Sequence, residues 1–480
     1  MNLKDELTKI VGDGGVSDNK DDINPLIKGQ SLEPSRMPGF VVSVKNSDEV
    51  RKVIQLANDQ KTSVTPSSSM EHSRSIMPCE GGILLDLSRM KNIEAPDNRN
   101  RKIKIEAGVT WAEVGAVLKK ENLMINNPLL PRANSSVLTS VLEREPMLNA
   151  QFEFGERIMS LEMIWPTGEL FRTGSASSIH YPEKSLATGC YPYGPGPLDP
   201  MRLLECGQGT MGVCTWINIK TELLPEIDKA ILIPFDKLEA LTEALYAIQV
   251  KKLGKECVVL NSQNLAAILE NPGLKDSLPP WSVLLVLPGG RMFPEEKIAY
   301  EKEALDDLQA RVFSSSKLLD EIPGAGSTDI LPGLLRNPWP ADKIYWKDQP
   351  KGACQDLFFI TKLEKTPAFV EAVRKAADSN GYNPDDIGVY IQPIDFASGT
   401  HVEFNIFYDE NSAKEKTAVE KVYTAAIEET LKLKAHYTRP YGKVMSKMVY
   451  DNASSYAGML KKVKGIFDPN NVMKPGALCF

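Results

Sequence analysis

The sequence contains no C-x-x-C pair. Its seven cysteines, Cys79, Cys190, Cys206, Cys214, Cys257, Cys354 and Cys479, stand far apart. Structural zinc and iron–sulfur clusters need grouped thiolates, so no metal site is expected, and the pattern predicts free thiols in a reducing compartment. Only four histidines occur, His72, His180, His401 and His436. No apolar run approaches the roughly 20 residues that span a bilayer, which argues against membrane insertion. There is no dense run of Lys and Arg, and the net charge is −7, so a nucleic-acid footprint is not expected. The opening residues Met1-Asn2-Leu3-Lys4-Asp5-Glu6 lack the apolar core of an export signal, and a cytoplasmic location is the expectation. Phosphate-loop, zinc-protease and nucleophile-elbow patterns are absent as well.

What is present is an ordinary soluble composition over 480 residues. That is too long for one hydrophobic core, so two or three domains are expected. Residues 1–35 are polar, with Gly-Asp-Gly-Gly and Asp-Asp runs, and read as a loose arm or a short helix plus linker. From position 39 the pattern tightens. Phe40-Val41-Val42-Ser43-Val44 reads as a strand, and Asn46-Ser47-Asp48-Glu49 caps a helix with Val50, Val53, Ile54 and Ala57 on one face. Strands follow at 82–87 and 102–106, and Thr110-Trp111-Ala112-Glu113 is a capping box opening a helix. Further strands are read at 159–165, 169–173 and 211–221. The pattern changes after Pro225, where helices at 237–252, 294–312, 366–380 and 413–434 interleave with strands at 282–287, 356–362, 387–394 and 400–408. This predicts an antiparallel sheet with helices on one face. Residues 322–340 read as a surface loop and 454–466 as a final helix stopped by Asp468-Pro469. The expected division is an arm at 1–35, a first domain at 36–225, a cap at 226–430, and a C-terminal segment at 431–480 returning to the first domain.

Several phrases occur in a telling order. Gly82-Ile83-Leu84-Leu85-Asp86-Leu87 runs into Ser88-Arg89-Met90, and Glu106-Ala107-Gly108-Val109-Thr110-Trp111 follows. Then come Ser136-Val137-Leu138, Trp165-Pro166-Thr167-Gly168-Glu169-Leu170, Pro192-Tyr193-Gly194-Pro195-Gly196-Pro197 and Gly207-Gln208-Gly209-Thr210-Met211-Gly212-Val213. The chain closes on Phe467-Asp468-Pro469-Asn470 and Lys474-Pro475-Gly476. In this order the phrases resemble the vanillyl-alcohol oxidase/p-cresol methylhydroxylase (PCMH-type) flavoproteins, nearest their 4-alkylphenol-oxidising branch. A more distant similarity is to D-lactate and glycolate dehydrogenases. The resemblance implies an α+β fold, a two-subdomain FAD-binding PCMH-type domain with an antiparallel-sheet cap, and FAD as cofactor.

It also implies site residues. FAD contacts fall on Ser67, Ser68, Ser69, Met70, Glu71, His72, Ser73, Ser136, Val137, Gly207, Gly212 and Val213. His401 stands where the oxidase branch carries a flavin-linked histidine. Segment 65–74, the place of the pyrophosphate loop, has no glycine. Glycines let backbone amides close on a phosphate; here serine hydroxyls and Arg74 are the expected substitutes. A second departure is Thr139-Ser140-Val141-Leu142-Glu143-Arg144-Glu145-Pro146, where small residues are expected. Tyr437, Arg439 and Tyr441 are the expected catalytic residues, a cation and hydroxyls that stabilise a phenolate and ease hydride departure.

The leading expectation is an FAD-dependent oxidoreductase that takes a hydride from a benzylic or α carbon of a hydroxylated, phenolic substrate. Electrons would then pass to an acceptor, possible partners being an acceptor protein and a homo- or hetero-oligomer. Two alternatives stand beside it. One is a flavin-free, catalytically silent subunit of a larger complex, suggested by the glycine-free loop. The other is a 2-hydroxyacid dehydrogenase, since Arg439 would serve a carboxylate equally; against it stands the lack of that branch's histidine-rich metal motif.

Overall fold

The computed structural model describes residues 2–27, 32, 36–69, 71, 79–148, 157–177, 190–197 and 199–480. Met70, His72, Ser73 and Arg74 lie outside them.

The first half builds two four-stranded sheets. In one, Phe40–Ser43 and Val64–Ser67 both run parallel to Ile83–Asp86, which lies between them. The crossover helix Ser47–Asp59 starts where Asn46 accepts a hydrogen bond from the Glu49 amide. Val50, Val53, Ile54 and Ala57 are fully buried on one helix face. Each buried branched side chain there is worth about 1.5–3 kcal/mol. Val16–Ser17 adds an antiparallel edge, and helix Leu3–Val11 sinks Leu7 and Val11 into the same core. Of the two readings of residues 1–35, a loose arm or a short helix plus linker, the helix is present, because those two apolar positions one turn apart find a groove.

The second sheet is antiparallel, in the order Lys102–Glu106, Val213–Lys220, Ile158–Ile164 and Leu170–Arg172. Helix Trp111–Lys120 follows its first strand and opens with the expected Thr110–Glu113 capping box.

The second half builds one six-stranded antiparallel sheet. Its order is Ile227–Phe235, Trp281–Gly289, Glu256–Asn261, Ile387–Ile394, Gly399–Tyr408 and Ala353–Thr361. Side chains alternate across a strand, and both faces are buried. Ile231, Ile233 and Phe235 lie on the face covered by helices Leu238–Val250, Pro294–Val312, Thr366–Ser379 and Ala413–Lys432, whose buried residues complete the same core. Ala230 and Leu232 meet Leu129, Leu130 and Leu148 from the first half. Residues 322–340, expected as a loop, contain helix Leu331–Arg336, which packs Leu331 and Leu335 on that second face.

The C-terminal segment packs on the first half. Met473 bridges Val64 in parallel, extending the first sheet. Buried Lys464 donates to the Thr210 carbonyl at 2.7 Å, the Met473 carbonyl at 3.0 Å and the Asp468 carboxylate at 2.6 Å. This one ammonium ties the glycine-bearing turn at 207–212 to the chain end.

Candidate functional site

A cavity of about 340 Å³ opens where the two halves meet, within the size range of small-molecule sites. Its first wall is the end of strand Val64–Ser67 and the residues after it, Pro66, Ser67, Ser68, Ser69 and Glu71. Two of the serine hydroxyls are spent on the loop's own shape. Ser67 Oγ donates to the Ser69 carbonyl at 2.8 Å, and Ser69 Oγ donates to the Glu71 carbonyl at 3.2 Å. The Ser68 and Thr139 hydroxyls bond to each other.

The second wall is helix Val137–Leu142. Ser136 caps it, accepting from the Thr139 amide and donating to the Ala107 carbonyl. Ser136 lines the cavity, whereas Val137 is fully buried in the first-half core and does not.

The third wall is the turn 207–213, with Gly207, Gly212 and Val213 on the surface of the cavity. Gly209 has φ +77°, and a Cβ there would lie 2.6 Å from Pro66 Cγ. Gly212 has φ +146°, and a Cβ would lie 2.7 Å from the Ile164 carbonyl oxygen. Only glycine lets this turn press against the serine loop.

The cap end is set by one strand. In Ala353–Thr361, Phe358 faces the cavity and Phe359 faces the helix-packed core. A backbone bridge between Ile360 and His436 lays the C-terminal segment beside this strand. Tyr437 then falls on the core side, 6% exposed, packing on Phe359 and sharing a 2.6 Å hydrogen bond with Thr430. Arg439 and Tyr441 fall on the cavity side. Arg439 is 4% exposed and its guanidinium lies 4.4 Å from the Phe358 ring centre. Among the described residues no carboxylate lies within ion-pair distance of it, and its Nε has no hydrogen-bond partner.

Tyr441 donates to Glu143 Oε2 at 2.8 Å, while the Gln208 amide donates to Glu143 Oε1 at 3.0 Å. Burial pushes the Glu143 carboxyl above its ordinary value, against the pull of Tyr441 and the Arg439 and Lys474 charges. Deeper in the cap, Lys347 joins Asp356 at 2.8 Å and Glu403 at 2.5 Å. Burial opposes these charges, but the two carboxylates hold Lys347 well above the ordinary lysine value. His401 is 2% exposed, with Nε2 3.4 Å from Glu403 and its ring near Phe358 and Tyr390. Burial lowers its pKa, favouring the neutral ring. His401 is not part of the cavity wall, unlike Glu403 and Tyr390.

Of the expected site residues, the cavity thus gathers Ser67, Ser68, Ser69, Glu71, Ser136, Gly207, Gly212, Val213, Arg439 and Tyr441. Val137, His401 and Tyr437 stand off it. Sequence reading did not single out Glu143, Gln208, Phe358, Lys347 or Lys474. The signal for Glu143 was there, an acid where small residues were expected.

The three walls that the sequence assigned to FAD enclose one space, and cations line it, so the residues present fit that cofactor. Comparison with known proteins agrees. Residues 38–174 match the FAD binding domain model, and residues 360–478 match that of the FAD linked oxidases, C-terminal domain. D-lactate dehydrogenase of Anaerostipes hadrus is 21% identical over 468 residues, covering 92% of this chain and 90% of that protein. Glycolate oxidase subunit GlcD of Bacillus subtilis is 20% identical over 489 residues, covering 99% and 96%. In fold, the chain is similar to p-cresol methylhydroxylase with substrate bound, at TM-score 0.84, 16% identity and coverage of 99% and 96%. It is equally similar to 4-ethylphenol oxidase from Gulosibacter chungangensis in its isoeugenol complex, at TM-score 0.84, 16% identity and coverage of 98% and 95%. The chain is thus an FAD-linked oxidoreductase, with an FAD binding domain and the C-terminal domain of the FAD linked oxidases, and its fold is of the PCMH type. FAD is its cofactor, and its fold is α+β. No helix among the described residues is long and apolar enough to cross a membrane.

Proposed function

We propose that this flavoenzyme oxidises a phenolic substrate at its benzylic carbon, with Arg439 receiving the phenolate oxygen. The observation that carries the reading is the burial of Arg439 on Phe358 without a carboxylate partner among the described residues. A buried cation is expensive unless an anion meets it, and in this cavity the anion is left for the ligand to supply. Phe358, Tyr390 and Tyr441 form walls suited to a flat ring.

FAD, when bound, supplies the hydride acceptor. The residues of the chain prepare the substrate. Tyr441, whose hydroxyl hydrogen is directed at Glu143, offers its oxygen to the substrate hydroxyl. As the substrate O–H bond breaks, its proton passes to Tyr441 and the Tyr441 proton passes to Glu143. Arg439 stabilises the phenolate so formed, and the electron-rich ring releases hydride from the benzylic carbon more readily.

A second reading has its own support. The curated relatives that span most of this chain include a D-lactate dehydrogenase and a glycolate oxidase subunit, and the planar guanidinium fork fits a carboxylate as well. Anaerobic mixing of the FAD-loaded protein with 4-alkylphenols and, separately, with 2-hydroxyacids separates the two. Bleaching of the oxidised-flavin band by the phenols alone is expected. Bleaching by the hydroxyacids alone would transfer the assignment to the second reading, and bleaching by neither would favour a silent subunit.

A further inference from the structure

A nest of backbone amides, usually glycine-rich, ordinarily meets the charge of a dinucleotide's pyrophosphate. Segment 65–74 contains no glycine, and the described serine hydroxyls are committed within the loop and to Thr139. Arg74 lies outside the described residues, and among the described ones the charge falls to other groups.

The cations on the cavity wall sort themselves by partner. Lys347 is held between Asp356 and Glu403. Arg132 pairs with Asp348 at 3.0 Å, lies 3.9 Å from Glu71 and stacks on Tyr345 at 3.8 Å. Arg439 lies on Phe358 at the cap end. Lys443, at the start of helix Gly442–Asp451, lines the cavity too and is already engaged. That leaves Lys474 and Arg36, both lining the cavity. Neither side chain makes an ion pair or hydrogen bond among the described residues. The charged or titratable groups facing Lys474 are the Glu143 carboxyl and the Cys79 thiol, and burial draws its pKa below the ordinary lysine value.

Backbone geometry fixes their position. Met473 bridges Val64, and the Lys474 amide donates to the Val64 carbonyl at 2.9 Å, so Lys474 stands beside the strand that runs into Ser67. Lys474 has φ +43°, a left-handed backbone that a lysine adopts at some energetic cost, a kind of strain that tends to collect at functional sites. In the terminal turn, a Cβ on Gly476 would lie 3.7 Å from a terminal nitrogen of Arg36. Arg36 therefore reaches the same wall from the other end of the chain.

We infer that Lys474 and Arg36 form a cationic clamp for the FAD pyrophosphate, replacing the glycine nest with two side-chain charges. The inference rests on FAD being the cofactor. Its test uses protein expressed under riboflavin limitation and titrated separately with FAD, ADP and riboflavin. Lys474→Gln and Arg36→Gln should each weaken FAD and ADP about tenfold. Riboflavin affinity should not change, and the salt dependence of FAD binding should flatten. Lys474→Arg, which keeps the charge, should retain ADP affinity, and unchanged melting temperatures of the unliganded variants would show that the fold is intact. Riboflavin weakened with ADP unaffected would overturn the clamp by moving these charges to the ring. Unchanged affinities for all three ligands would overturn it as well. A wild-type protein that takes up riboflavin and ADP but not FAD would contradict the cofactor assignment instead.

Discussion

The hydroxyl of Tyr441 donates a 2.8 Å hydrogen bond to the carboxylate of Glu143, 298 residues earlier in the chain. That bond joins the C-terminal segment to the end of a helix in the FAD-binding half. The Gln208 amide, on the same carboxylate, adds the glycine-bearing turn. Three walls of the cavity therefore converge on one acid.

Glu143 should leave a pH signature in stability. Its folded-state pKa is raised above the ordinary 4.5. A raised carboxyl contributes stability that is fully present below the unfolded value and lost as pH rises through the folded value. Melting temperatures of wild type and Glu143→Gln, compared from about pH 4 upward, should show the variant gaining on wild type as pH rises. A constant difference across that range would contradict the raised pKa.

Tyr437 and Arg439 should behave as residues of different kinds. Tyr437→Phe deletes the hydroxyl bonded to Thr430 in the cap core and should cost about 0.5–1.5 kcal/mol of stability. KM and kcat should stay near wild type. A large rise in KM without loss of stability would place Tyr437 in the site after all.

Gly209→Ala should act on the cofactor more than on the fold. The new Cβ meets Pro66 at 2.6 Å with φ at +77°, and backbone strain of this sort costs about 1–2 kcal/mol. Relieving it pushes the turn away from the serine loop. Flavin content after purification should fall while circular dichroism keeps the native spectrum; full flavin content would show that the turn does not set the cradle.

Much of the fold was legible in the sequence, and the reasons are local. Val50, Val53, Ile54 and Ala57 recur at helical spacing behind an Asn cap, and Thr110 with Glu113 writes a capping box. Strands Ile227–Phe235 and Glu256–Asn261 were not legible. Both faces of the cap sheet are buried, so those strands lack the polar alternation that marks a half-exposed strand. Helix Gly442–Asp451 buries only Met445 and Ser446, too few positions to show a period.

The site was legible in its types but not in its directions. Tyr437 and Arg439 were both candidates, and what separates them is the bridge of His436 to Ile360 and the alternation of Phe358 and Phe359. The serines of the loop were expected to reach a phosphate, but the Ser67 and Ser69 hydroxyls bond within the loop and that of Ser68 bonds to Thr139. Sequence shows which groups are available; only tertiary structure shows which are already engaged.

The central claim is that Arg439 receives an anionic phenol beside FAD. The most direct measurement is the rate of anaerobic flavin bleaching by a 4-alkylphenol in wild type and Arg439→Met. Loss of a charge-assisted hydrogen bond should slow bleaching about 10- to 100-fold, with flavin content unchanged. Equal rates in the two proteins, or a wild-type flavin that no phenol bleaches, would contradict it.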